Sequence, residues 1–243
     1  LEVEQYIPMP LENLYIDYQI INRGKDSLTV LMCAVPKKYI DDLIDILEEF
    51  GFEIALIEPS IYASARLLEA TKEGGMPTVV IDIGPGDTDI AVFDGVVRVT
   101  GGLNMGGNTF TLEIAKKMDL TLENAHQLKV LSGLSPGPRQ AKVSAALRQP
   151  LLKMVDETKR IMRFYVDRFP DAANLEQVII VGSGSNVPGL GKFFTNELIM
   201  PARVASPWRS LNFSGDSQPT KSIRSRHSTT SRLRLVDPKE TTK

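Results

Sequence analysis

The chain has 243 residues, of which 42% are hydrophobic and 24% are charged, a composition typical of a soluble α/β protein with one or two domains. Its net charge of −2 conceals an asymmetry, because residues 1–208 carry 20 basic and 27 acidic side chains whereas residues 209–243 carry 8 basic and 3 acidic ones. An acidic body argues against nucleic-acid binding, one cysteine and two isolated histidines argue against a dedicated transition-metal site, and no apolar run reaches the roughly 18 residues of a transmembrane helix.

Residues 1–58 predict a small α+β subdomain. Strands are expected over residues 14–21 and 28–35, and the turn-rich segment between them predicts a hairpin. Apolar residues at helical spacing follow the second strand and stop at Gly51, which is typical of an amphipathic helix with a glycine at its C-terminus. A third strand is expected over residues 52–57.

Residues 59–76 predict a connecting helix, and residues 77–208 predict a larger domain with a helical insertion at about 121–170. The strands expected in that domain are 78–83, 89–93, 96–100, 177–181 and 201–205. The helices expected there are 109–118, 121–130, 142–148 and 188–198, and Thr121 is the expected N-cap of the second. Pro150 is expected to interrupt or restart the third helix, and a long apolar stripe follows it. The Ser-, Thr- and Arg-rich residues 209–243 predict an irregular basic tail that is largely disordered.

The first chemical signal is an acid at the end of a buried strand. Asp82 is followed by a turn that contains Gly84 and Gly86, and then by Thr88. Glycines let the backbone approach a phosphate closely, and their N–H groups donate to its oxygens. Asp82 is a candidate ligand of Mg²⁺ through water, and the Thr88 hydroxyl is a further candidate donor. A plain strand-turn-strand hairpin with a capping aspartate accounts for the same residues.

The second signal is a glycine pair that leads into a helix. Gly106 and Gly107 precede the helix expected at 109–118. Free N–H groups and the helix dipole favour an anion at such a position. The alternative interpretation is a flexible loop with Asn108 as the N-cap.

Two further signals favour the nucleoside part of a ligand. Gly182, Ser183 and Gly184 follow a buried strand, and such small residues permit a base or ribose to lie against the backbone. Glu157 and Arg160 lie three residues apart on one face of the long helix, where they are candidates for contacts with ribose and adenine. A solvated charged face explains this pair equally well.

The order of these signals resembles the second lobe of the actin and Hsp70 ATPase superfamily, which has a ribonuclease H-like α/β fold. A closer resemblance is to the PilM family of type IV pilus assembly and to the related FtsA proteins of cell division. The resemblance spans about residues 4–213. The stretches that carry it are residues 6–10, 34–38, 58–63, 106–111, 156–160 and 207–208.

The resemblance implies a function and a set of partners. It implies a cytoplasmic ATP- and Mg²⁺-binding scaffold, recruited to the inner face of the inner membrane. That scaffold would contact other pilus assembly proteins and bind the N-terminal peptide of a PilN-like membrane protein, and residues 1–58 would be its small inserted subdomain. Two alternatives stay open, namely an FtsA-like division protein and a catalytically active actin-like ATPase or sugar-kinase relative. Because a phosphoryl-transfer site needs more groups than these signals supply, we expect nucleotide binding without turnover.

Three features of the expected site depart from the family pattern, and the tail departs further. The first phosphate motif of the family is absent, so we expect it to precede Leu1 and the first lobe to be incomplete. Asp87 and Asp89 add negative charge beside the expected phosphate site, which weakens anion binding unless a metal compensates. Ser183 stands where the family often has glycine. In the tail, Arg232 and Arg234 interrupt a segment that is apolar in the family.

Overall fold

The computed structural model describes residues 9–25, 27–69 and 75–205, so the tail expected at 209–243 lies outside the described residues. The chain divides into two compact units, of which one ends at Glu58 and the other begins at Pro59. Each unit is built around its own sheet. Residues 9–58 and residues 59–205 are therefore described separately.

The first unit is an antiparallel hairpin followed by a helix, as the sequence predicted. A short 3-10 turn (Leu11–Asn13) leads into β1 (Leu14–Arg23), which pairs with β2 (Leu28–Pro36) before α1 (Lys37–Glu49) begins. The Tyr15 hydroxyl donates to Asp41 Oδ1 at 2.9 Å, and this bond ties β1 to α1. Gly51 lies just beyond α1 with φ of +76°, a conformation that costs glycine little and therefore favours it at a helix end.

The strand expected over residues 52–57 is wrong. These residues form no strand, and the described part of the first unit contains only the β1–β2 ladder. Phe52 and Leu56 are 43% and 42% exposed, so this largely apolar segment does not line a core. An apolar run is a local property of the sequence, whereas a strand also needs a neighbour to pair with its N–H and C=O groups.

The second unit is built on a five-stranded mixed sheet in the order β5-β4-β3-β6-β7. The strands are β3 (Thr78–Ile83), β4 (Thr88–Asp94), β5 (Val96–Leu103), β6 (Gln177–Val181) and β7 (Ala202–Val204). The helices are α2 (Ser60–Glu69), α3 (Gly107–Met118), α4 (Leu122–Leu131), α5 (Gln140–Arg168) and α6 (Leu190–Leu198). β3 is central, antiparallel to β4 and parallel to β6. It is buried at every residue except Asp82, as expected of a strand covered on both faces.

The interruption expected at Pro150 is wrong, because α5 is a single helix of 29 residues that contains this proline. A proline inside a helix removes a hydrogen bond and costs about 3 kcal/mol. Packing offsets that cost, since Val143 and Leu147 before Pro150 and Leu151 and Met154 after it all belong to one core. None of the helices in the described residues combines the length and the apolar character needed to cross a bilayer.

The end of α6 offers a test of backbone strain. Ile199 follows α6 in the left-handed conformation, with φ of 54°, and its side chain is 92% exposed. A β-branched residue is strained there, and burial does not compensate. We expect Ile199→Gly to raise the free energy of unfolding by about 1 kcal/mol in urea titration. Ile199→Ala is the control, because it removes the exposed apolar group but keeps a Cβ. An equal gain in both variants would assign the effect to the side chain instead.

Candidate functional site

Three glycine-containing turns meet at one edge of the large sheet. Because β3 and β6 are parallel neighbours, their carboxyl ends lie side by side, and α3 begins beside them. A Cβ placed on Gly184 would lie 2.6 Å from the Gly84 carbonyl oxygen, and one on Gly106 would overlap that same oxygen. A Cβ on Gly107 would lie 2.9 Å from Gly184 Cα. We call Gly84, Gly106, Gly107, Gly182 and Gly184 the glycine cluster.

Backbone hydrogen bonds hold α3 to the turn after β3. The Gly107 N–H donates to the Gly84 carbonyl at 2.9 Å, and the Asn108 N–H donates to the Pro85 carbonyl at 2.8 Å. Two of the donors that a helix start usually offers to an anion therefore bind protein oxygens. An anion-binding role for Gly106 and Gly107 stays a prediction, and it must use the remaining donors of this turn.

The turn between β3 and β4 has one buried end and one open tip. Thr88 is 1% exposed, and its hydroxyl donates to the Met105 carbonyl at 2.8 Å, so its proton is already used within the protein. Gly86 is exposed, and a Cβ placed there would meet no atom within 4 Å. Of the two, Gly86 has the more accessible backbone for a phosphate, and the role expected of Thr88 stays a prediction.

Asp82 lies at the end of β3, against the turn that follows β6. Its Oδ2 accepts a hydrogen bond of 2.9 Å from the Ser64 hydroxyl, while a Cβ on Gly182 would overlap its Oδ1. Gly182 has φ of +89°, which is a second reason for glycine at this position. Ser183 is exposed and begins the short 3-10 helix Ser183–Ser185, whose other two residues are buried.

The side chains at this edge of the sheet fit magnesium only if the ion arrives together with a phosphate ligand. The described residues contain no group of three or more His, Cys, Asp and Glu side chains that could hold a metal. Mg²⁺ keeps several waters and commonly binds through one or two carboxylates together with phosphate oxygens. A single carboxylate at Asp82 suits that arrangement, in which phosphates and water supply the other ligands.

Glu157 and Arg160 lie on α5 beside β5. Arg160 Nε donates to Glu157 Oε2 at 2.8 Å, and this hydrogen bond lowers the pKa of Glu157. The Glu157 carboxylate, 13% exposed, lies near Gly101 of β5, whereas the Arg160 side chain is 61% exposed. The pair is therefore tied to itself and packed on β5, and contacts with ribose and adenine stay a prediction.

Lys129 is a buried cation at the glycine cluster that the sequence reasoning missed. It is 5% exposed, and its Nζ donates to the Gly107 carbonyl and to Thr111 Oγ1, each at 2.9 Å. Burial lowers the pKa of Lys129 to about 8. A signal was present in the sequence, because Lys129 lies four residues after the buried Ala125 and next to Leu128, on the inward face of α4.

Solved structures define the class of fold. A chain of a PilM–PilN type IV pilus biogenesis complex superposes with a TM-score of 0.75 at 21% identity, over 93% of this chain and 66% of that one. MreB5 of Spiroplasma citri bound to ADP superposes with a TM-score of 0.57 at 18% identity, over 71% of this chain and 62% of that one. The chain has the actin-like α/β fold, which confirms the fold class expected from the sequence.

A match over most of the sequence identifies the family. The chain belongs to the type IV pilus assembly protein PilM family, whose model matches residues 1–230. It is also 36% identical over 175 residues to the cell division protein FtsA of Neisseria meningitidis serogroup B, a match that covers 63% of this chain. The chain spans 41% of the length of that FtsA. The resemblance to the PilM family and to FtsA is thereby confirmed.

Substitution of the cluster glycines tests whether their backbones are in contact. We expect Gly106→Ala to lower the free energy of unfolding by roughly 2–4 kcal/mol, because its Cβ would overlap the Gly84 carbonyl and lie 2.9 Å from the Asp87 carbonyl oxygen. Gly86→Ala is the matched control, with an expected change within about 0.5 kcal/mol. Urea unfolding of both variants provides the measurement, and equal stabilities would contradict the contact.

The buried ammonium of Lys129 makes stability depend on pH. Its folded-state pKa of about 8 lies below the ordinary value of 10.5, so the unfolded chain binds more protons between these values. Stability therefore rises with pH in this window. Relative to Lys129→Met, we expect the free energy of unfolding of the wild type to rise by roughly 2 kcal/mol between about pH 8 and about pH 10. Parallel pH profiles of the two proteins, measured by thermal or urea unfolding, would rule this out.

Proposed function

We propose that this protein is an ATP-binding scaffold of type IV pilus assembly. The observation that carries the proposal is the convergence of the glycine cluster and Asp82 at the carboxyl edge of an actin-like sheet, in a chain of the PilM family. Ligands of open α/β sheets bind outside the carboxyl ends of the strands, where glycines allow close approach of the backbone. A phosphate-bearing ligand is the class that this edge fits best.

Each group at the edge has a proposed part in holding ATP. The open Gly86 backbone and the turn formed by Gly182, Ser183 and Gly184 approach the phosphates and the ribose. Asp82 would hold Mg²⁺ through a water molecule, and the ion would neutralise phosphate charge when it is bound. The buried ammonium of Lys129 adds positive charge beneath the start of α3. Together these residues favour a ligand that brings both phosphates and a metal.

The proposed partner is the N-terminal peptide of a PilN-like inner-membrane protein. Support comes from the likeness to a structure of a PilM–PilN complex over 93% of this chain. The first unit also exposes apolar side chains that a peptide would cover, with Tyr18, Leu28 and Tyr39 at 62%, 55% and 70% exposure. Such a contact would recruit the protein from the cytoplasm to the inner face of the inner membrane, beside other pilus assembly proteins.

Bound ATP would regulate this contact rather than drive turnover. Two ligands that prefer the same conformation strengthen each other's binding by the same factor. A coupling of 1–3 kcal/mol, typical of such systems, corresponds to roughly 5- to 150-fold in affinity. The nucleotide would thus act as a binding effector of the scaffold.

An FtsA-like role in cell division is the second candidate, favoured by the 36% identity to FtsA of Neisseria meningitidis. The match of the PilM family model to residues 1–230 weighs against it, because that match covers far more of the chain. A deletion strain separates the two functions. Loss of pili with normal division supports the pilus scaffold, whereas filamentous cells would favour the division protein.

Calorimetric titration with a PilN-like N-terminal peptide tests the scaffold directly. We expect saturable binding that tightens at least 5-fold when ATP and Mg²⁺ are present, because the two ligands favour one conformation. A peptide of the same composition in scrambled order is the control. Absence of peptide binding both with and without ATP would contradict the proposal.

A further inference from the structure

The carboxylate of Asp82 is held from two sides by different elements. Oδ2 accepts a hydrogen bond of 2.9 Å from Ser64, whose side chain on α2 is 4% exposed. Oδ1 lies against Gly182, where the missing side chain makes room for it. The two oxygens therefore face different surroundings, one towards α2 and the other towards the turn that follows β6.

A second serine–aspartate bond lies one helical turn away. Asp82 and Asp89 are directly opposite each other on β3 and β4, so their side chains lie on the same face of the sheet. Ser60, four residues before Ser64 on α2, donates to Asp89 Oδ2 at 3.2 Å. Residues four apart share one face of a helix, and that face of α2 covers this part of the hairpin.

Like charges on directly opposite residues destabilise a sheet. Hydrogen bonds to ionised carboxylates are stronger than neutral ones, so each serine holds the carboxylate oxygen to which it donates. The Oδ1 atoms of the two carboxylates lie beside different glycines. Asp82 Oδ1 contacts Gly182, whereas Asp89 Oδ1 lies near Gly102 on β5, where a Cβ would be 3.3 Å away.

We propose that Ser64 is a positioning residue for the metal–nucleotide site. Its hydroxyl fixes Oδ2 of Asp82 and thereby directs Oδ1 towards the Gly182 turn, where the carboxylate would hold Mg²⁺ through water. Groups that hold a metal-binding carboxylate typically change metal affinity on the order of 10-fold or more when they are removed. This inference rests on the proposed binding of ATP with Mg²⁺.

Titration of the purified protein with a fluorescent ATP analogue, in Mg²⁺ and in EDTA, tests the role of Ser64. We expect Ser64→Ala to weaken binding on the order of 10-fold in Mg²⁺ and to leave binding in EDTA unchanged. Ser60→Ala is the matched control, because it removes the same kind of bond from the same helix but at Asp89. Its affinity is expected to stay within about twofold of the wild type in both conditions. Thermal unfolding of each variant shows that it is folded.

A second variant separates packing from hydrogen bonding. Ser64→Cys fills nearly the same space with a weak donor, so we expect it to lose most of the magnesium-dependent affinity while keeping the stability of the wild type. Wild-type affinity in Ser64→Ala, or equal losses in Mg²⁺ and in EDTA, would overturn the positioning role. A wild-type protein whose ATP affinity does not respond to magnesium would instead overturn the proposed binding of ATP with Mg²⁺, and the inference with it.

Discussion

The contact of backbone with backbone at the carboxyl edge of the sheet determines where the other parts of the second unit lie. The turn after β3, the start of α3 and the turn after β6 approach so closely that a Cβ at several positions would overlap a carbonyl oxygen. The hydrogen bond from Gly107 to Gly84 fixes the first turn of α3 on this edge. Since α3 packs on α4 and α5, the glycine contact also sets the position of the helical layer.

Asp82 and Lys129 are among the charged side chains that reach this contact. Asp82 receives a hydroxyl from Ser64, and Lys129 donates to the Gly107 carbonyl and to Thr111. The Lys129 ammonium donates to neutral oxygens, which compensate its charge less well than an ion pair does. Burial of this ammonium lowers the pKa of Lys129. A ligand that carries both phosphates and a metal would complement both charges, which links the energetics of the fold to the proposed function.

Much of the fold and the glycine turns of the site could be predicted from the sequence. Local rules identified the hairpin of the first unit, the buried strands β3 and β6, and Thr121 as an N-cap, whose hydroxyl accepts from the Asn124 N–H. The errors came where a distant partner decides. Residues 52–57 have the pattern of a strand but no ladder, and α5 continues through Pro150 because its packing offsets the lost hydrogen bond.

The sequence by itself determined which segments carry glycines and acids at strand ends, because these depend on local order and on the short-range needs of turns. Only the tertiary structure decided which groups meet. It placed the N–H of Gly107 on the Gly84 carbonyl, the Thr88 hydroxyl on the Met105 carbonyl, and Ser64 on Asp82. These contacts join residues 17 to 23 positions apart in sequence. They form because the sheet brings separate strand ends to one edge, which no periodicity in the chain encodes.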